Sequence, residues 1–367
     1  MSAGPSFFKR FLLPGFAFKA VVIGGGYATG RELAEFFLPN GPWGGVLGML
    51  LAMVCWSVVC ATTFVFARAT HSYEYGAFFR NLLGPLWFLF DITYACLVLI
   101  MLSVFGAAAG AIGAAVFGLP PIVGTLALVV GIAIVAAFGN ESVERLFKYV
   151  TYFLYSVYAV FVVLALFKTS DLIAANFAAS PPQGAGWALG GLTYAGYNVM
   201  GAVVILPVLR HLTSQRDAVI AGLLAGFLGM LPAILFFICM MAYYPAIGAV
   251  TLPSDYMLTR LDAPVFHLVF QVMILAALLE SGTGAVHAVN QRVAGVFIAR
   301  GRTLAPAARF LLSSGILIVS IFVANRFGLV ALIASGYRAL AYMFIAVYVV
   351  PLLAYTLWTR GRFAQTT

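Results

Sequence analysis

The chain has 367 residues, of which 63% are hydrophobic and only 8% charged. A soluble domain carries roughly 25% charged residues, so no soluble fold of this length covers its surface with so few, and most of this chain must have lipid as its solvent. The net charge of +9 does not mark a nucleic-acid binder, because the basic residues lie in short loops between apolar runs, where they act as topology signals.

In lipid every backbone amide needs an internal partner, which leaves helices or a closed barrel. A barrel would show short segments of alternating polarity. The apolar runs here are continuous and about 18 to 30 residues long, which is helix length for a bilayer. Ten spans are predicted, at 12–37, 44–69, 85–117, 121–138, 147–168, 187–209, 216–244, 264–298, 307–325 and 328–358. Lys9, Arg10 and Lys19 flank the first run, which continues into a glycine motif and so reads as a first span rather than a cleavable signal peptide. The linkers Ser72–Leu83 and Pro245–Pro264 mix aromatic and polar residues and are expected to form short helices at the membrane interface. Cys55, Cys60, Cys96 and Cys239 fall inside apolar runs without metal or disulfide spacing and read as filler.

Span 1 carries Gly24-Gly25-Gly26. Three glycines in a helix interior cost roughly 1 kcal/mol each relative to alanine. Close helix packing is one reading. The other is an unwound segment, whose freed amides suit a carboxylate and whose freed carbonyls suit a cation. Tyr27, read with the glycines as a substrate-binding pocket residue, follows, and then Thr29, Arg31, Glu32 and Glu35. Arg31 and Glu35 are four apart and can pair on one helix face. Arg338 in span 10 enters from the outer side and reaches a similar or slightly greater depth, so Arg31, Glu32, Glu35 and Arg338 are expected to form an outer gate of ion pairs, or a permanent structural pair. In span 3, Asp91 lies close to the membrane edge and reads as an interface anchor, while Tyr94 is placed to line a pocket.

Span 6 contains Thr193-Tyr194-Ala195-Gly196-Tyr197-Asn198. This weak stretch is expected to be a second interruption, with Tyr194, Tyr197 and Asn198 beside a pocket. Span 8 holds Glu280, Ser281, Thr283, His287 and Asn290. A carboxyl near mid-depth is costly and marks a functional site by default. Glu280, Thr283, His287 and Asn290 recur at helical spacing and read as one polar stripe, with Glu280 holding a proton or pairing with a cationic substrate or coupling ion, or the whole stripe serving a structural network.

With both termini placed in the cytoplasm, fifteen Lys and Arg fall in inner loops and tails against Lys168, Arg260 and Arg326 outside. That bias obeys the positive-inside rule. Ten spans with both ends inside divide into two five-span halves of opposite orientation, approximately 12–168 and 187–358. This is the plan of inverted-repeat transporters, in which the first span of each half is broken. The glycine break lies about 12 residues, or roughly 18 Å, into its span.

The run Ile23-Gly24-Gly25-Gly26-Tyr27-Ala28-Thr29-Gly30-Arg31-Glu32 resembles the opening motif of the YkvI family of bacterial membrane proteins, and Glu280-Ser281-Gly282-Thr283-Gly284 with His287 and Asn290 is similar to that family's span-8 motif. The resemblance implies the LeuT-type five-plus-five fold of the amino acid-polyamine-organocation superfamily. In that superfamily's amino-acid transporters the span-1 break binds the substrate carboxylate, which implies Gly24, Gly25 and Gly26 here. Sodium-coupled members use adjacent span-8 hydroxyls, whereas Ser281 and Thr283 are separated by Gly282 and point to different faces. Some proton-coupled members use a span-5 lysine, and span 5 here has only Lys148, at its mouth. The expected function is a secondary transporter of a small solute, an amino acid or a related zwitterion or cation, coupled to protons or sodium, in a bacterial cytoplasmic membrane. A ligand sensor that keeps the transporter fold is the alternative, as in the spore-germination permease-like proteins. An intramembrane enzyme finds no support, because His71, His211, His267 and His287 are scattered. Nor does an ATP-driven pump, since the chain has no nucleotide motif. No cofactor beyond a coupling Na+ or H+ is expected, and the oligomeric state is left open.

Overall fold

The computed structural model describes residues 6–363 except 24, 138–139, 181–184, 300 and 302–304. Of the basic residues counted in the charge bias, Arg145, Lys148, Arg300, Arg302, Arg360 and Arg362 lie outside those whose side chains are described. All regular structure among the described residues is helical, as lipid requires of a chain without a barrel pattern.

The chain opens with a π-helical turn, Phe8–Leu12, and α1 (Leu13–Val22). Two short helices follow, α2 (Gly25–Ala28) and α3 (Arg31–Phe36). Then come α4 (Gly41–Ala69), α5 (Tyr75–Leu83), α6 (Phe88–Phe117), α7 (Pro121–Ala137) and α8 (Asn140–Ala178). The second part holds α9 (Trp187–Asn198), α10 (Met200–Val204), α11 (Gln215–Met240), α12 (Pro253–Arg260) and α13 (Pro264–Ala299). It closes with α14 (Pro306–Ala331), α15 (Arg338–Phe344) and α16 (Val350–Phe363).

Among the described residues, 6 helical stretches are long and apolar enough to cross a bilayer: Arg31–Ala69, Tyr75–Phe117, Tyr149–Ala178, Gln215–Tyr243, Pro264–Ile298 and Ala307–Leu357. Expected span 1 enters only through α3, at the start of the first stretch; α9 and α10 of expected span 6 are each too short, and span 4 falls short, with Pro121–Val135 as its apolar helix. The last stretch has 51 residues, far more than the roughly 20 that one crossing needs. It turns at Gly328 (φ 73°, ψ 170°), inside helix α14, where the sequence reading divides spans 9 and 10. Both linkers expected to be helical are so, as α5 and as α12 with the 3-10 turn Ala246–Ala249 before it.

The two expected interruptions differ in kind. Helix α1 ends where Ile23 leaves helical space (φ −78°, ψ 71°), and a left-handed Gly30 (φ 75°) separates α2 from α3. In the second half the reading is corrected. Helix α9 runs unbroken through Thr193–Asn198, and the hydrogen-bond register slips only at Val199, whose backbone stays helical (φ −58°, ψ −21°). One glycine, Gly196, is too weak a breaker against the packing of that helix: Trp56 Nε1 donates to the Ala195 carbonyl at 3.2 Å, and Tyr194 is buried against Trp56 and Phe37. The helix loosens farther on, in the 3-10 segment Leu206–His211.

Helix α4 packs along α11. The approach is close enough that a side chain at Gly222 would overlap the backbone of Cys60 and Ala61. This contact, between helices remote in sequence, holds the frame against which α1 and α9 lie.

Candidate functional site

The interruption after α1 positions the site. Val21 and Val22 end one helical segment and Glu32 begins the next turn of α3, so a carboxylate is presented beside the place where the backbone ladder stops. Glu32 is 5% exposed, and its Oε2 accepts a hydrogen bond from the Tyr197 hydroxyl at 2.5 Å. The Tyr197 ring stacks on Tyr337, with centroids 4.5 Å apart. Glu32, Tyr197, Asn198 and Tyr337 line a small cavity of about 60 Å³ together with Phe105, Met101, Met200 and Ser281.

A second cavity of about 340 Å³ adjoins it and shares Val21, Met101, Met200 and Ser281 with the first. Its polar lining is Glu280, Ser281, Thr151, Tyr155 and Tyr94. Thr151 donates to Glu280 Oε1 at 3.4 Å. The α13 residues on its wall, Ala277, Glu280, Ser281, Gly284, Ala285 and Ala288, form one helical face.

That face corrects the expected polar stripe, of which only Glu280 reaches the cavity. Thr283 is fully buried and its hydroxyl has no hydrogen-bond partner among the described residues. His287 faces Gln291 at 3.0 Å, and Asn290 donates to Ser313 at 2.8 Å. Ser281, next to Glu280, lines both cavities. The separation of Ser281 from Thr283 follows from their spacing, since residues two apart on a helix do not share a face.

The expected gate also divides. Arg31 pairs with Glu35 at 2.9 Å and donates to the Gly248 and Val250 carbonyls, each at 3.0 Å. Glu32 turns the other way, into the small cavity. Arg338 is exposed and joins neither group. The π-helical segment Leu332–Tyr337 just before it adds a residue to the turn and rotates the faces that follow, so Tyr337 points inward in its place.

Two tyrosines read as pocket residues are struts. Tyr158 donates to the Pro232 carbonyl at 2.8 Å, so in the 3.1 Å contact between the two hydroxyls Tyr27 is the donor to Tyr158. Tyr27 and Tyr194 are buried and line neither cavity. Gly24 lies outside the described residues; Gly25 and Gly26 open the single turn of α2. Asp91, read as an interface anchor, forms an ion pair with Arg292, whose guanidinium lies over the Tyr75 and Tyr94 rings at 3.8 and 4.5 Å.

Thr151, Tyr155 and Tyr337 escaped the sequence reading. The first two sit four apart on α8, a signal that spacing alone offered; Tyr337 lay beside Arg338, to which the reading gave its place. Among the described residues no three His, Cys, Asp or Glu side chains gather as a metal site.

No known family profile matches the chain. It is 20% identical over 342 residues to YkvI, an uncharacterized membrane protein of Bacillus subtilis strain 168, covering 90% of this chain and 92% of that protein. The resemblance read from the motifs of spans 1 and 8 thus extends over nearly the whole sequence. Among solved structures, MhsT in complex with L-phenylalanine superposes with a TM-score of 0.63 at 16% identity, over 96% of this chain and 92% of that one. A Na+-coupled sialic acid symporter in a substrate-bound outward-open state gives 0.58 at 13% identity, over 95% and 81%. The Eremococcus coleocola manganese transporter gives 0.56 at 16% identity, over 96% and 81%. The chain has the LeuT-type fold. The second and third of these are named as a symporter and a transporter.

Proposed function

We propose that the chain is a secondary active transporter of a small organic solute, an amino acid or a related zwitterion or cation, working by alternating access with proton or sodium coupling. One observation carries the reading. In a fold shared with solute transporters, a buried carboxylate and an adjoining 340 Å³ cavity meet where helix α1 is interrupted. That volume is in the range of small-molecule sites, and irregular backbone in a membrane is tolerated where it faces protein or a cavity.

In this reading the ten spans are α1–α3, α4, α6, α7, α8, α9–α10 with the following 3-10 segment, α11, α13, and the two parts of the last stretch divided at Gly328. The halves before and after residue 180 are inverted repeats, and both termini lie in the cytoplasm of a bacterium, as the charge bias of the loops supports. The segment between α11 and α13 is the outer lid, tied down by Arg31. The larger cavity lies on the cytoplasmic side of the interruption, lined by Ala20 before it and by Gly284 and Ala288 toward the inner end of α13. Glu280, held by Thr151, is the group that carries the coupling proton or faces the coupling ion.

The test has two parts. Purified protein is screened by thermal shift against amino acids and amines, and hits are followed by counterflow in proteoliposomes with and without sodium or a proton gradient. In parallel, Ala288→Cys in a background without the native cysteines is labelled from either side of the membrane. Exchange of a labelled hit, its loss in Glu280→Gln, and labelling that shifts between sides would support the proposal. Ligand binding with no exchange and one-sided labelling would instead identify a sensor.

A further inference from the structure

The small cavity is lined by charge of one sign, while cations back the walls of the larger: Lys19 Nζ lies 4.2 Å from the Tyr155 ring centroid and the Arg292 guanidinium 4.5 Å from that of Tyr94. Among the described residues each lining contains a single carboxyl, Glu32 or Glu280, and neither includes a lysine, arginine or histidine. Glu32 is the more deeply buried of the two, and the cation beside it in sequence, Arg31, is committed elsewhere, to Glu35 and the lid carbonyls. A carboxylate taken out of water without a partner cation is expensive. The Tyr197 hydroxyl supplies one hydrogen bond to it and no charge.

The rest of the small cavity matches a particular kind of counter-ion. Tyr197, Tyr337 and Phe105 also line it, the first two stacked on each other. Aromatic faces beside a carboxylate attract an ammonium or alkylammonium group. The volume of about 60 Å³ holds a head group rather than a whole solute, whereas the adjoining 340 Å³ has room for the remainder, with Met101, Met200 and Val21 lining both.

We infer that the small cavity is an ammonium subsite in which Glu32, with the faces of Tyr197 and Tyr337, recognises the cationic nitrogen of an organic amine whose body extends past Ser281 into the larger cavity. This rests on the transporter reading for what happens after binding, and it narrows the solute: amines and amino acids qualify, and carboxylates without an amine do not.

The probes are n-butylamine, butyrate and 1-butanol, equal in chain length and differing in charge, titrated against the full chain in detergent by calorimetry and thermal shift. The expected result is binding of butylamine alone, weakened at least tenfold in Glu32→Gln, less in Glu32→Asp, and several-fold in Tyr337→Leu. Butylamine binding no better than butanol overturns the inference, and so does an unchanged dissociation constant in Glu32→Gln. If Glu32→Gln abolishes coupled exchange while butylamine binds as before, Glu32 is a proton carrier and the subsite is refuted. Should Glu32→Gln fail to fold, Tyr337→Leu decides, with an unchanged constant counting against the subsite. Side-dependent labelling of Ala288→Cys needs no ligand. Its failure alone removes the transporter reading and leaves the subsite standing, and loss of amine selectivity alone does the reverse.

Discussion

Arg31 and Glu32 are neighbours in the chain and end on opposite sides of α3. Arg31 is 6% exposed, with its guanidinium on one carboxylate and two carbonyls of the lid. Removing it strands those acceptors, and hydrogen bonds to charged groups are worth about 1.5–3 kcal/mol each. Arg31→Ala is therefore expected to destabilise the protein by about 2–4 kcal/mol. Arg31→Lys should recover only part of this, because an ammonium lacks the planar fork. Arg338→Ala, at an exposed site, should stay within about 0.5 kcal/mol. Unfolding followed by intrinsic fluorescence checks both, and equal losses at Arg31 and Arg338 would restore the four-residue gate. The Arg31–Glu35 pair was legible because it is local. Glu32 was visible as an acid inside a span, but its partner Tyr197 lies 165 residues away, and nothing local indicates which side of α3 faces a cavity. Arg338 was read from depth alone, and depth does not report the rotation that the preceding π-turn imposes.

At the scale of elements, the glycine-rich interruption was readable, and the tyrosine-rich stretch was misread as a second one. Consecutive glycines sum their penalties, and no neighbour compensates for absent side chains. Thr193–Asn198 contains residues that tolerate a helix, and the aromatic packing of Trp56, Phe36 and Phe37 around Tyr194 keeps it straight, so tertiary context outweighs local propensity. Gly30 is where the first interruption is most exposed to test. Its φ of 75° is left-handed, and a Cβ there would sit against the Phe236 ring and Pro253. Gly30→Ala is expected to cost about 1–3 kcal/mol from backbone strain alone, with further loss from the crowding. Gly315→Ala, in a helix with open space around the added methyl, serves as the control and should be neutral or slightly stabilising. A Gly30→Ala protein with the parent's melting temperature would mean that α3 re-enters by another route. The expected polar stripe on α13 failed for a related reason. Spacing identifies residues that share a face but not which face is turned to the cavity, and here it is the face of Ser281 and Gly284.

For the whole molecule, the lid and the cavities hang from the same two helical units. On one side Arg31 of α3 grips the Gly248 and Val250 carbonyls, and Ser254 N–H donates to the Thr29 carbonyl at 3.0 Å. On the other, Asp255 of α12 meets His267 Nε2 and Gln271 Nε2 of α13, each at 2.7 Å. The α3 unit carries Glu32 and α13 carries Glu280. A solute that draws these two carboxylates together therefore also moves both anchor points of the lid, with no separate relay required. Breaking one anchor should loosen the lid without touching either cavity. Asp255→Ala removes the acceptor of two hydrogen bonds, and a shift of 1.4 kcal/mol in a closed–open equilibrium changes the open population about tenfold. Ser254 is 1% exposed, so Ser254→Cys, placed in a chain without native cysteines, reports opening through its rate of modification by a membrane-impermeant maleimide. Adding Asp255→Ala is expected to raise that rate about tenfold or more, and a cavity ligand should change it in the Asp255 parent as well. An unchanged rate in Asp255→Ala would show that the α12–α13 contact does not restrain the lid, and would leave Arg31 and the Thr29 carbonyl as the contacts holding it.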